Sequence, residues 1–162
     1  MNGVISASPA TEQRPCYTTR PLLSVGAAMW KLDLTEDQVL ALIESGDLLW
    51  AFNIAKAGCH ARTVRIWTRS LETYEESRAN SGTTPQDMPG WEAVEESIFP
   101  TRETLTAIDL ARVFNCSSSH LLALVMSGSF RLAKGGWRPG PGGSPVIETA
   151  SVKAWLKSRR IT

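Results

Sequence analysis

Cysteine and histidine are scarce in this chain, and their positions argue against a metal centre or a disulfide framework. The three cysteines, Cys16, Cys59 and Cys116, are odd in number and far apart, so that no two of them form a CxxC pair. The adjacent Cys59 and His60 are the one hint of a ligand pair, but such neighbours in a turn are more often simply small and polar. We therefore expect no metal and no other cofactor.

The chain also lacks the patterns that mark an enzyme active site or a membrane segment. It has two histidines and no Gly-rich phosphate loop ending in Gly-Lys-Ser/Thr, and its carboxylates are concentrated between residues 75 and 109. Residues 1–21 are rich in Ser, Thr and Pro, with no apolar run longer than two residues, which is unlike a secretory leader or a membrane span. We expect a soluble cytoplasmic protein that is not an enzyme and has no membrane partner.

Net charge is nearly absent from the chain as a whole but not from its parts. A formal net charge of +1 would argue against nucleic acid if it were evenly spread, because Lys and Arg must neutralise phosphates. Residues 1–74 hold seven basic and seven acidic side chains, and residues 75–109 hold two and eight. Residues 110–162 hold eight basic side chains and one acidic side chain. The basic surface that DNA binding requires is therefore expected in the C-terminal third.

What the chain does have is an internal repeat. When the sequence is shifted by 82 residues, residues 19–52 lie over residues 101–134 without a gap, and nine of these 34 positions are identical. A one-residue gap then aligns Ile66 with Ile147 and Tyr74 with Trp155. One structural unit is therefore expected twice.

Local signals predict a helix, a turn and a second helix in both copies. The first helix is expected at residues 25–32 and 107–114, and the second is expected to end near residues 45 and 127. Asp and Asn tolerate left-handed geometry in turns, Thr and Ser cap helix N-termini, and Gly accepts a positive φ after a helix. The residues in question are Asp33, Thr35 and Gly46 in the first copy, and Asn115, Ser117 and Gly128 in the second.

After each glycine the pattern changes to two strand-like stretches and a last helix. The stretches cover residues 48–54 and 63–68 in the first copy, and residues 130–134 and 145–149 in the second. The loops between them are interpreted as exposed hairpin tips, and the second is rich in Gly and Pro. The last helix of the first copy is expected to direct Leu71 and Tyr74 towards the core. That of the second copy is expected to do the same with Val152, Trp155 and Leu156. Two helices, a hairpin and a last helix make a winged helix.

The predicted fold is therefore α+β, with two tandem small winged helix-turn-helix domains joined by a flexible acidic linker. The domains are expected at residues 19–76 and 101–162, the linker at residues 77–100 and a disordered tail at residues 1–18. Such a linker would let the two domains engage two adjacent half-sites on DNA.

One part of the linker has helical spacing. Residues 91–99 can form a short helix that presents Trp91, Val94 and Ile98 on one side. These side chains either dock on a neighbouring part of the chain or only help to cover the second copy.

Pairs of residues at the element boundaries of the second copy form a familiar pattern. A Leu-Thr pair opens the first helix, an Ala follows within it, a Ser begins the second helix, a Ser-Gly pair ends it, and a Trp-Leu pair lies in the last helix. These residues are Leu105, Thr106, Leu110, Ala111, Ser117, Ser127, Gly128, Trp155 and Leu156. The pattern resembles the excisionase and MerR-type winged-helix family over residues 101–160 and more weakly over residues 19–74. It is similar in the same features to the DNA-binding domain of phage small terminase subunits.

The resemblance implies double-stranded DNA as the partner, with the second helix in the major groove and the hairpin tip on the backbone or minor groove. The expected contacts in the second copy are Ser117, Ser118, Ser119 and His120 on the helix, and Arg131, Lys134, Trp137 and Arg138 in the hairpin. Those in the first copy are Lys56, Arg62 and Arg65 in the hairpin. The second helix of the first copy begins with Glu36 and Asp37, and these acids repel phosphate.

The outer face of the second helix departs from the family pattern because it is apolar. Helical spacing directs Leu121, Leu124 and Val125 inward, which leaves the next set facing out. That outer set is Leu122, Ala123 and Met126, with Leu40 and Ala41 at the matching positions of the first copy. An exposed apolar strip indicates a surface for a protein partner or for self-association.

Three functions are compatible with these patterns. The first is a sequence-specific or architectural DNA-binding protein of a mobile element, acting as a regulator or a recombination directionality factor. The second is a protein-interaction module that retains the winged-helix fold but has lost DNA readout. The third is the DNA-recognition subunit of a phage packaging terminase.

Overall fold

The computed structural model describes residues 20–80, 89–137 and 143–161, and these residues form a mixed α+β fold. The first part contains β1 (Leu22–Ser24), α1 (Val25–Leu32), α2 (Glu36–Glu44), β2 (Ala51–Asn53), β3 (Val64–Trp67) and α3 (Thr68–Ala79). Next comes α4 (Trp91–Ile98), followed by β4 (Thr104–Thr106), α5 (Ala107–Val113), α6 (Ser118–Met126), β5 (Val146–Glu148) and α7 (Thr149–Ser158). We call residues 22–79 the first unit and residues 104–158 the second unit. The α+β class predicted from the sequence is confirmed.

Both units use the same backbone conformations at the same repeat positions. Asp33 and Asn115 end the first helix of each unit with φ values of 54° and 49°, in the left-handed region that their short polar side chains tolerate. Gly46 and Gly128 follow the second helix with φ values of 84° and 74°, which favour glycine. The predicted turn and stop positions are therefore confirmed.

The second helix of each unit begins at the predicted cap. The Thr35 hydroxyl accepts a hydrogen bond from the amide of Gln38, and the side-chain oxygen of Gln38 accepts one from the amide of Thr35 at 2.9 Å. The Ser117 hydroxyl accepts from the amide of His120 at 3.2 Å. The two side chains at the third helical position thus differ, since Gln38 caps its own helix and no such capping box is formed by His120.

The strands form two small antiparallel sheets. In the first unit the order is β1-β3-β2, and Ile66 lies between Leu23 and Ala51. In the second unit β4 pairs with β5, and the stretch predicted as a strand at residues 130–134 contributes one isolated bridge from Leu132 to Ile147. Strands β1 and β4 were not predicted, because each has three residues and continues directly into a helix without a turn signal.

The first unit has its own apolar core. Ala28, Val39, Ile43, Ile66 and Leu71 are buried together, so that α1, α2, β3 and α3 each direct one face inward. Burying a side chain of this size contributes about 1.5–3 kcal/mol relative to leaving it exposed.

A second core extends across both units and is centred on α4. Trp91, Val94 and Ile98 are buried on one face of this helix, and the Trp91 ring lies 5.8 Å from Trp50 and 6.2 Å from Phe52 of the first unit. The same cluster contains side chains of the second unit, among them Leu105, Leu110, Phe114, Leu121 and Leu156. Helix α4 therefore docks on both units.

Polar contacts attach α4 to its neighbours as well. The Trp67 indole donates to the Ser97 hydroxyl at 2.8 Å, and Lys153 of α7 lies 2.7 Å from a carboxylate oxygen of Glu95. The prediction of a flexible linker over residues 77–100 therefore needs correction. Helix α3 runs through Ala79, and α4 is part of the core because Trp50 and Phe52 need an apolar cover. Residues 81–88 of the predicted linker, and the tail predicted at residues 1–18, lie outside the described residues.

The residues after α7 join the sheet of the first unit. The Asn53 amide donates to the Arg159 carbonyl at 2.9 Å, the Ile161 amide donates to the Ala51 carbonyl at 2.8 Å, and Phe52 forms a bridge with Arg160. The Arg160 guanidinium lies 3.9 Å from the centre of the Trp50 ring, close enough for a cation–π contact. We call residues 159–161 the C-terminal segment. It covers the edge of β2 and ties the second unit to the first.

Candidate functional site

The hairpin of the first unit ends in an exposed basic loop, residues 55–62, which we call the basic loop. Lys56, His60 and Arg62 are all exposed there. The base of the loop is closed by the Asn53 side chain, whose oxygen accepts from the amides of Ala55 at 3.1 Å and Thr63 at 3.0 Å. The loop therefore presents two permanent positive charges and one histidine from a fixed base.

The start of α6 presents small polar groups to solvent. Ser117, Ser118 and Ser119 are exposed, and the first turn of α6 carries no acidic side chain. First-turn amides have no carbonyl partner within their own helix, and the N-terminal end of a helix has a partial positive charge. This end of α6 thus offers hydroxyl and amide donors to an anion. At the corresponding end of α2, Glu36 and Asp37 are exposed instead.

His120 connects the start of α6 to the hairpin of the first unit. Its side chain is half-buried, and its Nε2 lies 2.8 Å from the carbonyl oxygen of Ile54, in a position to donate. Ile54 directly precedes the basic loop in the chain. The contact therefore brings the basic loop and the first turn of α6 side by side, although they come from different units.

Arg65 makes a second connection, to the turn between α5 and α6. Its Nε donates to the Phe114 carbonyl at 2.7 Å and to the Asn115 carbonyl at 3.2 Å, and its Nη2 donates to Asn115 at 2.8 Å. Its Nη1 donates to the carbonyl of Val64 at 2.9 Å. All three guanidinium nitrogens are thus hydrogen-bonded to backbone. The cation also lies at the C-terminal end of α5, where a positive charge is favourable.

The surroundings of Arg65 are partly desolvated. Burial lowers the pKa of its guanidinium, and the nearby Cys116 acts in the opposite direction. Burial also raises the pKa of the Cys116 thiol, against the effect of Arg65. Arg20 reaches the same turn, where its Nη1 donates to the side-chain oxygen of Asn115. We call the contacts of Arg65 and His120 with the other unit, together with the contact of Arg20 with the second unit, the junction.

Two of the residues predicted to contact DNA therefore have partners inside the chain. Arg65 and His120 were chosen because a basic side chain in a hairpin and a polar one at the start of a helix are typical of DNA contacts. The same side chains also suit hydrogen bonds to the carbonyls of another unit, and this is where the structure has them. Both are junction residues.

The hairpin of the second unit carries the remaining predicted contacts. Arg131 is exposed and lies 3.9 Å from a carboxylate oxygen of Glu148, whereas Lys134 is exposed and Trp137 is half-buried. Arg138 lies outside the described residues. A pair of this length and exposure is worth at most about 1 kcal/mol, so Arg131 can exchange Glu148 for another anion.

Much of the basic charge counted in the C-terminal third is directed towards the chain itself. Lys153 pairs with Glu95, Lys157 lies 6.0 Å from the centre of the Trp91 ring, and Arg159 lies 5.2 Å from that of Trp155. Together with Arg160 over Trp50, these are four of the eight basic residues of residues 110–162. These contacts accompany half-burial of Lys153 and Arg159, whereas Lys157 and Arg160 are exposed, so only part of the basic surface indicated by the sequence is lost to a partner.

The outer face of α6 is apolar, as predicted. Met126 is 71% exposed and Leu122 is 37% exposed, and Ala123 between them is half-buried. In the first unit Ala41 is exposed, but Leu40 is half-buried because it packs on the core of that unit.

Sequence reasoning missed two further apolar side chains that are more than half exposed. Ile108 is 54% exposed and Trp30 is 86% exposed. A signal was present in the repeat, since Ile108 is aligned with Gly26 and Trp30 with Arg112. A position occupied by Gly in one copy and Ile in the other, or by Trp and Arg, is typical of a surface and not of a shared core.

Neither a metal site nor a membrane helix is found in the described ranges. No group of three His, Cys, Asp or Glu side chains there could hold a metal ion. No helix of those ranges is both long and apolar enough to cross a bilayer. Comparisons of the chain with models of protein families, with curated proteins and with solved structures find no match.

Proposed function

We propose that the chain is a DNA-binding protein built from two winged helix-turn-helix units, whose DNA surface is shared between them. The basic loop of the first unit and the first turn of α6 in the second unit would contact one duplex together. The observation that carries the proposal is the 2.8 Å contact between His120 and the Ile54 carbonyl, which makes these two sets of donors neighbours.

The chemistry of the two sets suits the DNA backbone. Lys56 and Arg62 can neutralise phosphates, while the hydroxyls and amides of Ser118 and Ser119 can donate to phosphate oxygens. Half or more of the hydrogen bonds in protein–DNA complexes go to phosphate and sugar. Each unit supplies what the other lacks at this surface, since α2 starts with acids and α6 contains no Lys or Arg.

We propose architectural, largely sequence-independent binding in preference to base readout. Leu122, Ala123 and Met126 on the outer face of α6 cannot hydrogen-bond to the edges of bases with their side chains. Their side chains can make only apolar contacts with thymine methyl groups. A role as a regulator or recombination directionality factor of a mobile element, or as the DNA-recognition subunit of a packaging terminase, is compatible with such binding. Fold resemblance alone does not separate these roles.

A salt titration tests the proposal. The full chain would be titrated onto a fluorescent mixed-sequence duplex at several salt concentrations, in parallel with the double variant Lys56→Ala/Arg62→Ala. Each lost phosphate contact lowers the slope of log K against log salt by about 0.9, so that the double variant should lose about two.

The matched control is Arg78→Gln. Arg78 is exposed and lies near Gly46 at the end of α2, whereas Arg62 lies near Glu36 at its start. The control variant should keep the wild-type slope. An equal loss of slope in Arg78→Gln and in Lys56→Ala/Arg62→Ala would contradict a localised DNA surface. Absence of wild-type binding at low salt would contradict the whole proposal.

The apolar face of α6 favours a second function, binding of a protein through Leu122 and Met126. The observation behind it is the 37% and 71% exposure of these two side chains. If the partner is another copy of the chain, sedimentation should show a mass that rises with concentration and returns to the monomer in Met126→Lys. A monomeric wild type at every concentration would exclude self-association as that function.

A further inference from the structure

We infer that Arg65 and His120 are positioning residues, which hold the first turn of α6 beside the basic loop so that one DNA backbone can contact both. The inference rests on the proposed function and deepens it. It states that the phosphate-binding surface exists only while the junction between the units is intact.

The contacts of Arg65 fit a positioning role better than a ligand role. Its guanidinium donates to the carbonyls of Phe114 and Asn115, which lie at the end of α5, three and two residues before the Ser117 cap of α6. The Phe114 carbonyl at the end of α5 has no hydrogen-bond donor within that helix. The guanidinium of Arg65 supplies that donor. A planar fork with fixed donor directions sets the orientation of the turn, which a lysine with a flexible stem does not do.

His120 fixes the same turn from its other side. Its amide donates to the Ser117 hydroxyl, and its ring reaches the Ile54 carbonyl. Ser117, Ser118 and Ser119 therefore lie between two connections to the first unit, one through Asn115 and one through His120. Motion of the first turn relative to the basic loop would break at least one of them.

The residues at both positions differ between the copies of the repeat. Arg65 is aligned with Val146, and His120 is aligned with Gln38. Gln38 caps α2 within its own unit, and Val146 lies in β5 without a donor in its side chain. The junction chemistry thus belongs to one face of each unit and is not a property of the shared fold.

The consequence is a separation of two quantities that a DNA ligand would change together. A phosphate ligand contributes to the salt slope, because its removal leaves one fewer counterion to be released. A positioning residue whose donors are engaged with carbonyls contributes to affinity without contributing to the slope. Arg62 and Arg65 are three residues apart and have the same side chain, so they form a matched pair.

The experiment measures affinity and salt slope for the full chain on a mixed-sequence duplex. Arg62→Met should lower the slope by about one. Arg65→Met should weaken binding by about tenfold at every salt concentration while the slope stays at the wild-type value. Arg65→Lys should bind more tightly than Arg65→Met but more weakly than the wild type, because lysine keeps the positive charge but not the planar guanidinium with its fixed donor directions.

His120→Gln is the second variant, chosen because it acts on the other side of the turn and keeps a donor of similar reach. It should lose less affinity than His120→Ala, again with an unchanged slope. Circular dichroism on each variant separates a loss of positioning from a loss of fold. If Arg65→Met does not fold, the two His120 variants decide the question in its place.

The outcomes distinguish this inference from the proposed function. A slope that falls in Arg65→Met as it does in Arg62→Met would make Arg65 a phosphate ligand and overturn the inference. Wild-type affinity in Arg65→Met and in both His120 variants would overturn it as well, while the proposed function stands. A wild-type chain that does not bind the duplex at low salt overturns both.

Discussion

The two units share an order of elements and differ in what they leave exposed. The second helix of the first unit begins with Glu36 and Asp37, whereas that of the second unit begins with Ser118 and Ser119. The hairpin of the first unit has a paired sheet and a basic loop, whereas one arm of the second hairpin is reduced to a bridge at Leu132. A repeated fold therefore does not imply a repeated surface, and a single site can be assembled from both copies.

The largest effect is expected from weakening the packing of α4, the helix that contacts both units. Trp91→Ala should lower the free energy of unfolding by about 3–5 kcal/mol, because it deletes a buried ring that contacts Trp50 and Phe52. Urea unfolding followed by circular dichroism measures the change, and wild-type unfolding should be a single transition. Trp30→Ala, at an 86% exposed tryptophan, is the control and should change stability by less than about 0.5 kcal/mol. Equal effects of the two variants would contradict a core centred on α4.

The sequence predicted those features that depend on local chemistry. Asp33, Asn115, Gly46 and Gly128 lie at turns and helix ends where the side chain, or its absence, decides the backbone conformation. The helix with Trp91 on its buried face was predicted too, but not that it would contact both units.

Long-range contacts account for the features that were not predicted. The C-terminal segment pairs with β2 across more than a hundred residues, and no local pattern marks such a pairing. Arg65 and His120 were placed on DNA because a donor facing a carbonyl and a donor facing a phosphate have the same sequence signal. Their departure from the repeat, at Val146 and Gln38, is the signal that could have separated these alternatives.

The N-terminal caps of α1 and α5 differ in whether their contribution to stability depends on pH. In the second unit the Thr106 hydroxyl accepts from the amide of Asp109. The Thr106 hydroxyl and amide donate in turn to the Asp109 carboxylate at 2.8 Å and 3.2 Å, and these two bonds hold the pKa of Asp109 below its ordinary value. In the first unit Ser24 caps the amide of Ala27, which cannot titrate. Thr106→Ala and Ser24→Ala should each lower the free energy of unfolding by about 1 kcal/mol at neutral pH.

The two caps should then respond differently to acid. Because the folded pKa of Asp109 is depressed, its contribution is complete above the unfolded pKa and is lost as pH falls through the folded pKa. The effect of Thr106→Ala should therefore shrink in acid, while that of Ser24→Ala should not. Urea unfolding at a series of pH values measures both, and parallel pH profiles would contradict this account of the second-unit cap.

A smaller effect is expected from an acid that lies beside the proposed surface. Glu36 and Arg62 line the same groove of the first unit, so the carboxylate opposes phosphate binding there. Glu36→Gln should tighten duplex binding about twofold to threefold at low salt. Glu44→Gln, at the other end of α2, is the matched control and should have less effect. Weaker binding by Glu36→Gln would place the DNA elsewhere.

The central claim is that one duplex contacts both units at the junction, and backbone amide shifts test it most directly. A short mixed-sequence duplex would be titrated into the isotope-labelled full chain in low salt. The account predicts that the amides of Lys56, Arg62, Ser118 and Ser119 shift together over one concentration range, with Met126 little changed. Shifts confined to one unit, or centred on Leu122 and Met126, would contradict it.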